Sequence, residues 1–261
     1  MTYKTIILEK KNGYAIAKLN RPAEMNAISK EMRTELLEVF VVLESDPEVK
    51  AIIITGGEYV FSTGMDIKEM AALSDADIDE YFESMMGYLK KIYLCNKPVI
   101  AAVGGFALGG GFNLVTVCDL VVASESAIFC HPELKLGLNP LFYPLNQIVG
   151  ISKAKEIVML GEPIGANEAL KIGLVNKVEP PEKFMEQAEK MAAILAKQSA
   201  KAFEELKKVC ATVPRMDKAA ALELELTIGA RLFARDERKY YMNEVLFLEK
   251  LRKNKNRKTT S

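Results

Sequence analysis

Residues 98–119 read Pro-Val-Ile-Ala-Ala-Val-Gly-Gly-Phe-Ala-Leu-Gly-Gly-Gly-Phe-Asn-Leu-Val-Thr-Val-Cys-Asp. The run from Val99 to Val103 is apolar without alternation, as expected of a strand buried on both faces. Glycines follow in two groups, the second being Gly109, Gly110 and Gly111, and a segment of helical pattern comes next. A strand, a glycine turn and a helix start present backbone N–H groups that have no intrahelical partner, at the positive end of the helix dipole. Glycine removes the Cβ that would keep a ligand away from them. Such a place suits a phosphate or a developing oxyanion.

Strand-like and helix-like segments alternate around this stretch. Thr5 to Glu9 and Tyr14 to Leu19 read as strands joined by a Lys-Asn-Gly turn. A helix is predicted after Ser29, an N-cap candidate, with Met32, Leu36, Leu37, Phe40 and Leu43 at helical spacing. Val49 to Thr55 is a further apolar run of strand length, and helices are predicted at 66–73 and 78–93. Strand-like segments return at 120–123 and 127–129. From Ser152 onward the pattern is almost wholly helical, ending in an apolar helix around 240–251 and a basic tail. The expectation is an α/β core with parallel pairing and right-handed crossovers, followed by helices.

Composition narrows the function classes. The 261 residues carry 35 basic and 35 acidic side chains, so no net charge draws the chain toward nucleic acid or membranes. Four cysteines, Cys95, Cys118, Cys130 and Cys210, lack metal-ligand or Cys-x-x-Cys spacing and read as reduced thiols. With one histidine there is no expected metal site. No signal-peptide pattern and no membrane-spanning apolar run are present, and a cytoplasmic location is expected. A Walker-type Gly-Lys-Ser/Thr and a Gly-x-Gly-x-x-Gly are both missing, which weakens the phosphate reading of the glycine block.

Four segments, in order, carry a family resemblance: Leu19-Asn-Arg-Pro-Ala-Glu-Met-Asn-Ala27, Phe61-Ser-Thr-Gly-Met-Asp-Ile-Lys-Glu-Met70, the glycine block, and Phe247-Leu-Glu-Lys250. Along nearly its whole length the chain resembles the crotonase (enoyl-CoA hydratase/isomerase) superfamily. The resemblance implies a spiral of ββα units over residues 1–195. A helical C-terminal region over 196–261 would serve trimerisation and cover the CoA site. It also implies a homotrimer or dimer of trimers, an acyl-CoA thioester as substrate, and no cofactor beyond the CoA that the substrate brings. The backbone N–H groups of Met65 and Gly110 would hold the thioester oxygen. Met25, Ala27, Ser62, Gly64, Asp66, Ile67, Phe247 and Lys250 would lie along the CoA.

The departures from the family are as informative. Hydratases of this family use two glutamates; the second aligns with Glu133, whereas the first is replaced by Asn113. An amide orients a water but takes up no proton. One carboxylate suffices to remove a proton at C2 of a 3-enoyl-CoA and return it at C4, so the sequence favours an isomerase over a hydratase. The alternatives are a hydratase/dehydratase variant lacking the first glutamate, enolate chemistry leading to decarboxylation or hydrolysis, and a non-catalytic acyl-CoA-binding homologue. His131 lies two residues from Glu133, on the same face if the segment is extended. It, Asn113, Asn139 and Tyr143 are the expected pocket residues; the last two stand where hydratases carry a glycine-rich loop.

Overall fold

The structure is a computed structural model that describes residues 2–234 and, beyond them, Arg238, Met242, Asn243, Val245, Leu246 and Glu249. The chain divides into two compact units, Met1–Gln198 and Ser199–Ser261. The first opens with an antiparallel hairpin, β1 (Ile6–Lys10) and β2 (Tyr14–Leu19), followed by α1 (Lys30–Ser45). Next come β3 (Ala51–Thr55), β4 (Val60–Ser62), α2 (Ile67–Ala71) and α3 (Ile78–Tyr93). A second turn of the same kind is β5 (Val99–Val103), β6 (Phe106–Leu108) and α4 (Gly110–Thr116). A third lays down β7 (Leu120–Ser124), β8 (Ile128–Cys130), α5 (Phe142–Val149) and α6 (Ile151–Leu160). The unit ends with β9 (Ile164–Gly165), α7 (Ala166–Lys171), β10 (Lys177–Glu179) and α8 (Phe184–Ala196).

Each turn thus places its first strand in a six-stranded sheet, β1-β2-β3-β5-β7-β10, and its second in a four-stranded sheet, β4-β6-β8-β9. Pairing is parallel except at β1–β2 and β8–β9. This is the ββα spiral that the family resemblance implies.

The apolar runs explain why the larger sheet is central. Every residue of β3 and β5 is buried. Their alternate faces serve two separate clusters, as the two-residue period of a strand requires. Ile52, Ile54, Val99, Ala101 and Val103 join the main core with the buried stripe of α1, namely Met32, Leu36, Val39, Phe40 and Leu43. Ile53, Ile100 and Ala102 face α8 through Phe184, Ala188 and Ala192. Ser29 caps α1 by accepting from the Met32 N–H. Leu37, next to the stripe, is 37% exposed, because one residue along a helix turns about 100° away from its neighbour.

In the second unit α9 (Ala200–Thr212) and α10 (Lys218–Phe233) begin at Ser199 and Asp217, whose side chains accept from backbone N–H groups of the first turn. Most of the helix expected around 240–251, and the basic run after it, fall outside the described residues. None of the described helices is long and apolar enough to cross a membrane.

Two buried tyrosines give the first unit a defined alkaline limit. Burial, with a hydrogen bond to Glu189 (2.6 Å), pushes Tyr14 up to about 12; burial does the same to Tyr81, where Arg33 acts in opposition. An unfolded tyrosine titrates near 10. The folded state therefore holds more protons in that interval, so this stability is complete below about pH 10 and is lost as the pH rises toward 12. Phenolate absorbance followed with circular dichroism is expected to show tyrosine ionisation coinciding with unfolding in that window.

Candidate active site

Two chain segments converge on a pair of backbone donors. In the first, β4 runs through Gly64 to Met65, and Asp66 caps α2. A parallel bridge joins Ile28 to Met65, with the Ile28 N–H donating to the Gly64 carbonyl (2.8 Å) and the Asp66 N–H to the Ile28 carbonyl (3.2 Å). That pattern uses the groups on either side of Met65, so the Met65 N–H points away from the bridge. In the second, β6 ends at Gly109 (φ +49°), and Gly110 is the first residue of α4. The Gly110 N–H therefore has no intrahelical acceptor. Neither N–H donates to any acceptor among the described residues.

Both groups sit together because glycine lets the segments touch. A Cβ on Gly64 (φ +98°) would lie 2.8 Å from the Leu108 carbonyl oxygen and 3.0 Å from the Gly110 nitrogen. A Cβ on Gly110 would lie 3.3 Å from the Met65 nitrogen. Two unengaged, fixed N–H groups placed side by side in this way can hold one oxygen between them. The earlier glycines of the block serve packing: a Cβ on Gly105 would overlap the Tyr59 carbonyl at 1.7 Å.

Glu133 stands beside this pair of N–H groups. It begins the 3-10 turn Glu133–Leu136 and is 9% exposed. Its Oε1 comes within 3.6 Å of where a Gly109 Cβ would be, one residue from the Gly110 donor. Asn113 stands one turn along α4 from Gly109 and Gly110, on the same helix face. Its Oδ1 is buried with no hydrogen-bond partner among the described residues. Cys130 is buried too, its thiol donating to the Gly161 carbonyl (3.4 Å). Burial pushes that thiol up, so it offers no nucleophile.

Other expected site residues divide by exposure. Met25, at φ +50°, and Ile67 are 54% and 69% exposed and remain open to a ligand. Ala27 is half-buried and its carbonyl accepts from Arg21 Nη1 (2.6 Å). Tyr143 lies on α5 and is 43% exposed, while the exposed Asn139 turns its amide back to the Pro140 carbonyl (3.1 Å).

Three of the expected site residues are engaged within the fold. Ser62 is fully buried, donating to the Asn26 carbonyl (2.8 Å) and accepting from the Gly64 N–H (3.1 Å), so it shapes the donor loop and offers no surface to CoA. Asp66 is equally committed, to Arg21 Nη1 (3.0 Å) and to the Lys68 and Glu69 N–H groups. Burial pushes its carboxyl up, but those donors outweigh it and hold it below the usual carboxylate range. His131 is fully buried and presents no face to a substrate pocket. Phe247 and Lys250 lie outside the described residues.

Sequence reading gave no role to Arg21 or to the Asn26 side chain, which tie the donor loop down. Asn26 adopts φ +53°, accepts from the Arg21 N–H and donates to the Gly56 and Val60 carbonyls. An asparagine in left-handed backbone inside a turn is the signal that marks such a clamp.

Comparison with known proteins identifies the family. The family model described as enoyl-CoA hydratase/isomerase matches residues 9–257. A crotonyl-CoA hydratase of Syntrophomonas wolfei is 36% identical over 258 residues, covering 97% of this chain and 98% of the relative. A short-chain-enoyl-CoA hydratase of Clostridium acetobutylicum is 34% identical over 261 residues, covering 98% and 100%. The crystal structure of an enoyl-CoA hydratase from Bacillus anthracis superposes with a TM-score of 0.89 at 27% identity, covering 95% of this chain and 97% of that one. The fold matches that of solved enoyl-CoA hydratase structures over nearly the whole chain. The chain belongs to the enoyl-CoA hydratase/isomerase (crotonase) family. Both curated relatives are called hydratases, so the expectation of an isomerase gains no support from them.

Proposed function

We propose that the protein adds water to a 2-enoyl-CoA thioester, with Glu133 as its only proton-transferring carboxylate. The observation that carries this reading is the Glu133 carboxylate packed against Gly109, beside the free N–H of Gly110. The thioester oxygen sits between the Met65 and Gly110 N–H groups. As a water oxygen bonds to C3, the C2–C3 π electrons move toward the thioester and an enolate develops on that oxygen. Donors fixed in advance at this position are worth about 3 kcal/mol each at the transition state. Glu133 takes the proton from the attacking water and then gives it to C2, which restores the carboxylate and adds the elements of water across the bond. The unpaired Asn113 Oδ1 accepts from the second hydrogen of that water and orients it. No cofactor is needed beyond the CoA carried by the substrate.

Isomerisation of a 3-enoyl-CoA is the second reading, favoured by the amide at Asn113 where a hydratase places a second carboxylate. One experiment separates the two. Purified protein is offered 2-enoyl-CoA and 3-enoyl-CoA thioesters of several lengths in water enriched in oxygen-18, and products are resolved by chromatography and mass. Hydration gives a labelled 3-hydroxyacyl-CoA from the 2-enoyl substrate. Bond migration with no label incorporated would overturn the proposal in favour of the isomerase. Tight thioester binding without turnover would reduce the protein to a binding homologue.

A further inference from the structure

We infer that His131 is the positioning residue for Glu133, acting through a forked hydrogen bond that holds the carboxylate in both of its protonation states. This inference rests on the proposed role of Glu133. The Nδ1 atom of His131 lies 3.2 Å from each carboxylate oxygen of Glu133. No other side chain or backbone donor among the described residues reaches that carboxylate. A carboxylate only accepts, so the ring nitrogen facing it is the donor and Nδ1 carries the hydrogen. The other ring nitrogen, Nε2, is buried without a partner. It is less costly there as a bare lone pair than as an unsatisfied N–H.

The ring is fixed from a second direction. It stacks on Phe112 with centroids 4.3 Å apart and planes at 25°, and no part of the residue is exposed. Phe112 lies on α4, two residues after Gly110 and next to Asn113. One short helix therefore sets the oxyanion donor, the water-facing amide and the wall behind the histidine. The equal distances matter for the chemistry. When one oxygen of Glu133 takes a proton, the Nδ1–H still holds the other, so the carboxyl group keeps its orientation until it returns that proton. A single-carboxylate enzyme needs this more than a two-carboxylate one, because the same group must face the attacking water first and C2 afterwards.

Side-chain replacements at 131 test the inference through kcat and KM. Asn places an N–H close to the position of Nδ1, whereas Gln places it near Nε2 and Leu has none. His131→Asn is expected to keep most of kcat, and His131→Gln and His131→Leu to lose roughly 10- to 100-fold, with KM little changed in all three. In a Glu133→Gln background the same replacements are expected to cause no further loss, since their effect passes through the carboxylate. Equal losses for His131→Asn and His131→Gln, or full additivity with Glu133→Gln, would overturn the positioning role and leave His131 as core packing. Full activity of Glu133→Gln alone would instead overturn the role of Glu133 itself, so the two failures are distinct. If the leucine variant does not fold, the asparagine–glutamine pair still decides.

Discussion

Glu133→Gln is expected to lower turnover by roughly a thousandfold or more while leaving acyl-CoA affinity within about threefold, since positioned acid–base groups contribute about 10²- to 10⁴-fold. The amide fills the same space against Gly109 and can still accept from His131 Nδ1, so the local packing has no reason to change. Neither N–H of the oxyanion cradle belongs to the altered residue, and the thioester oxygen keeps both donors. What disappears is the carboxylate that, among the described residues, stands beside the cradle and can take a proton and return it. Affinity is read by calorimetric titration with a non-reactive saturated acyl-CoA, and turnover by loss of the enoyl-thioester absorbance. A variant that still turns over at near the parental rate would show that another residue handles the proton. Thermal unfolding is expected to move little in either direction.

Much of the fold was legible because buried parallel strands write themselves as unbroken apolar runs, as at 51–55 and 99–103. Of the smaller sheet only β8 was legible, expected at 127–129, for β4 and β6 have three residues each and β9 has two, too short for any period to show. β6 lies between the two glycine groups and was absorbed into the turn. The sequence suggests no helix at 142–149, yet Pro144 is the third residue of α5. In the first turn of a helix the missing N–H has no partner to lose, so proline is tolerated there. At the site, Met65, Gly110 and Glu133 were singled out through linear motifs, and the structure brings them close together. The full burial of Ser62 and His131 was not legible, because a polar residue near a motif reads the same whether its side chain faces a ligand or the interior. Burial decides between these, and burial is a property of the fold.

Alanine at Gly64 and at Gly110 should separate the stability of the cradle from its chemistry. At Gly64 the backbone has φ +98°, which an L side chain rarely adopts, and the added Cβ would press on the Leu108 carbonyl at 2.8 Å and the Gly110 nitrogen at 3.0 Å. Both obstacles are backbone, so relief requires the two segments to part. Gly64→Ala is expected to cost about 1–3 kcal/mol of stability from the strained conformation. Moving the donors apart should also cost roughly 10²- to 10³-fold in kcat, the value of one oxyanion donor. At Gly110 the residue opens a helix, where alanine is tolerated, and the nearest atoms to its Cβ include Met65 Sδ at 3.1 Å, the end of a flexible side chain. The Met65 nitrogen at 3.3 Å cannot yield so easily, and the methyl group occupies space beside the cradle. Gly110→Ala is therefore expected to unfold at nearly the parental temperature yet lose roughly tenfold or more in kcat, since small displacements of a reacting group are costly. If both variants lost stability and activity in the same proportion, the cradle would be no more than a packing contact. Parental kcat in a stable Gly110→Ala protein would place the thioester oxygen elsewhere.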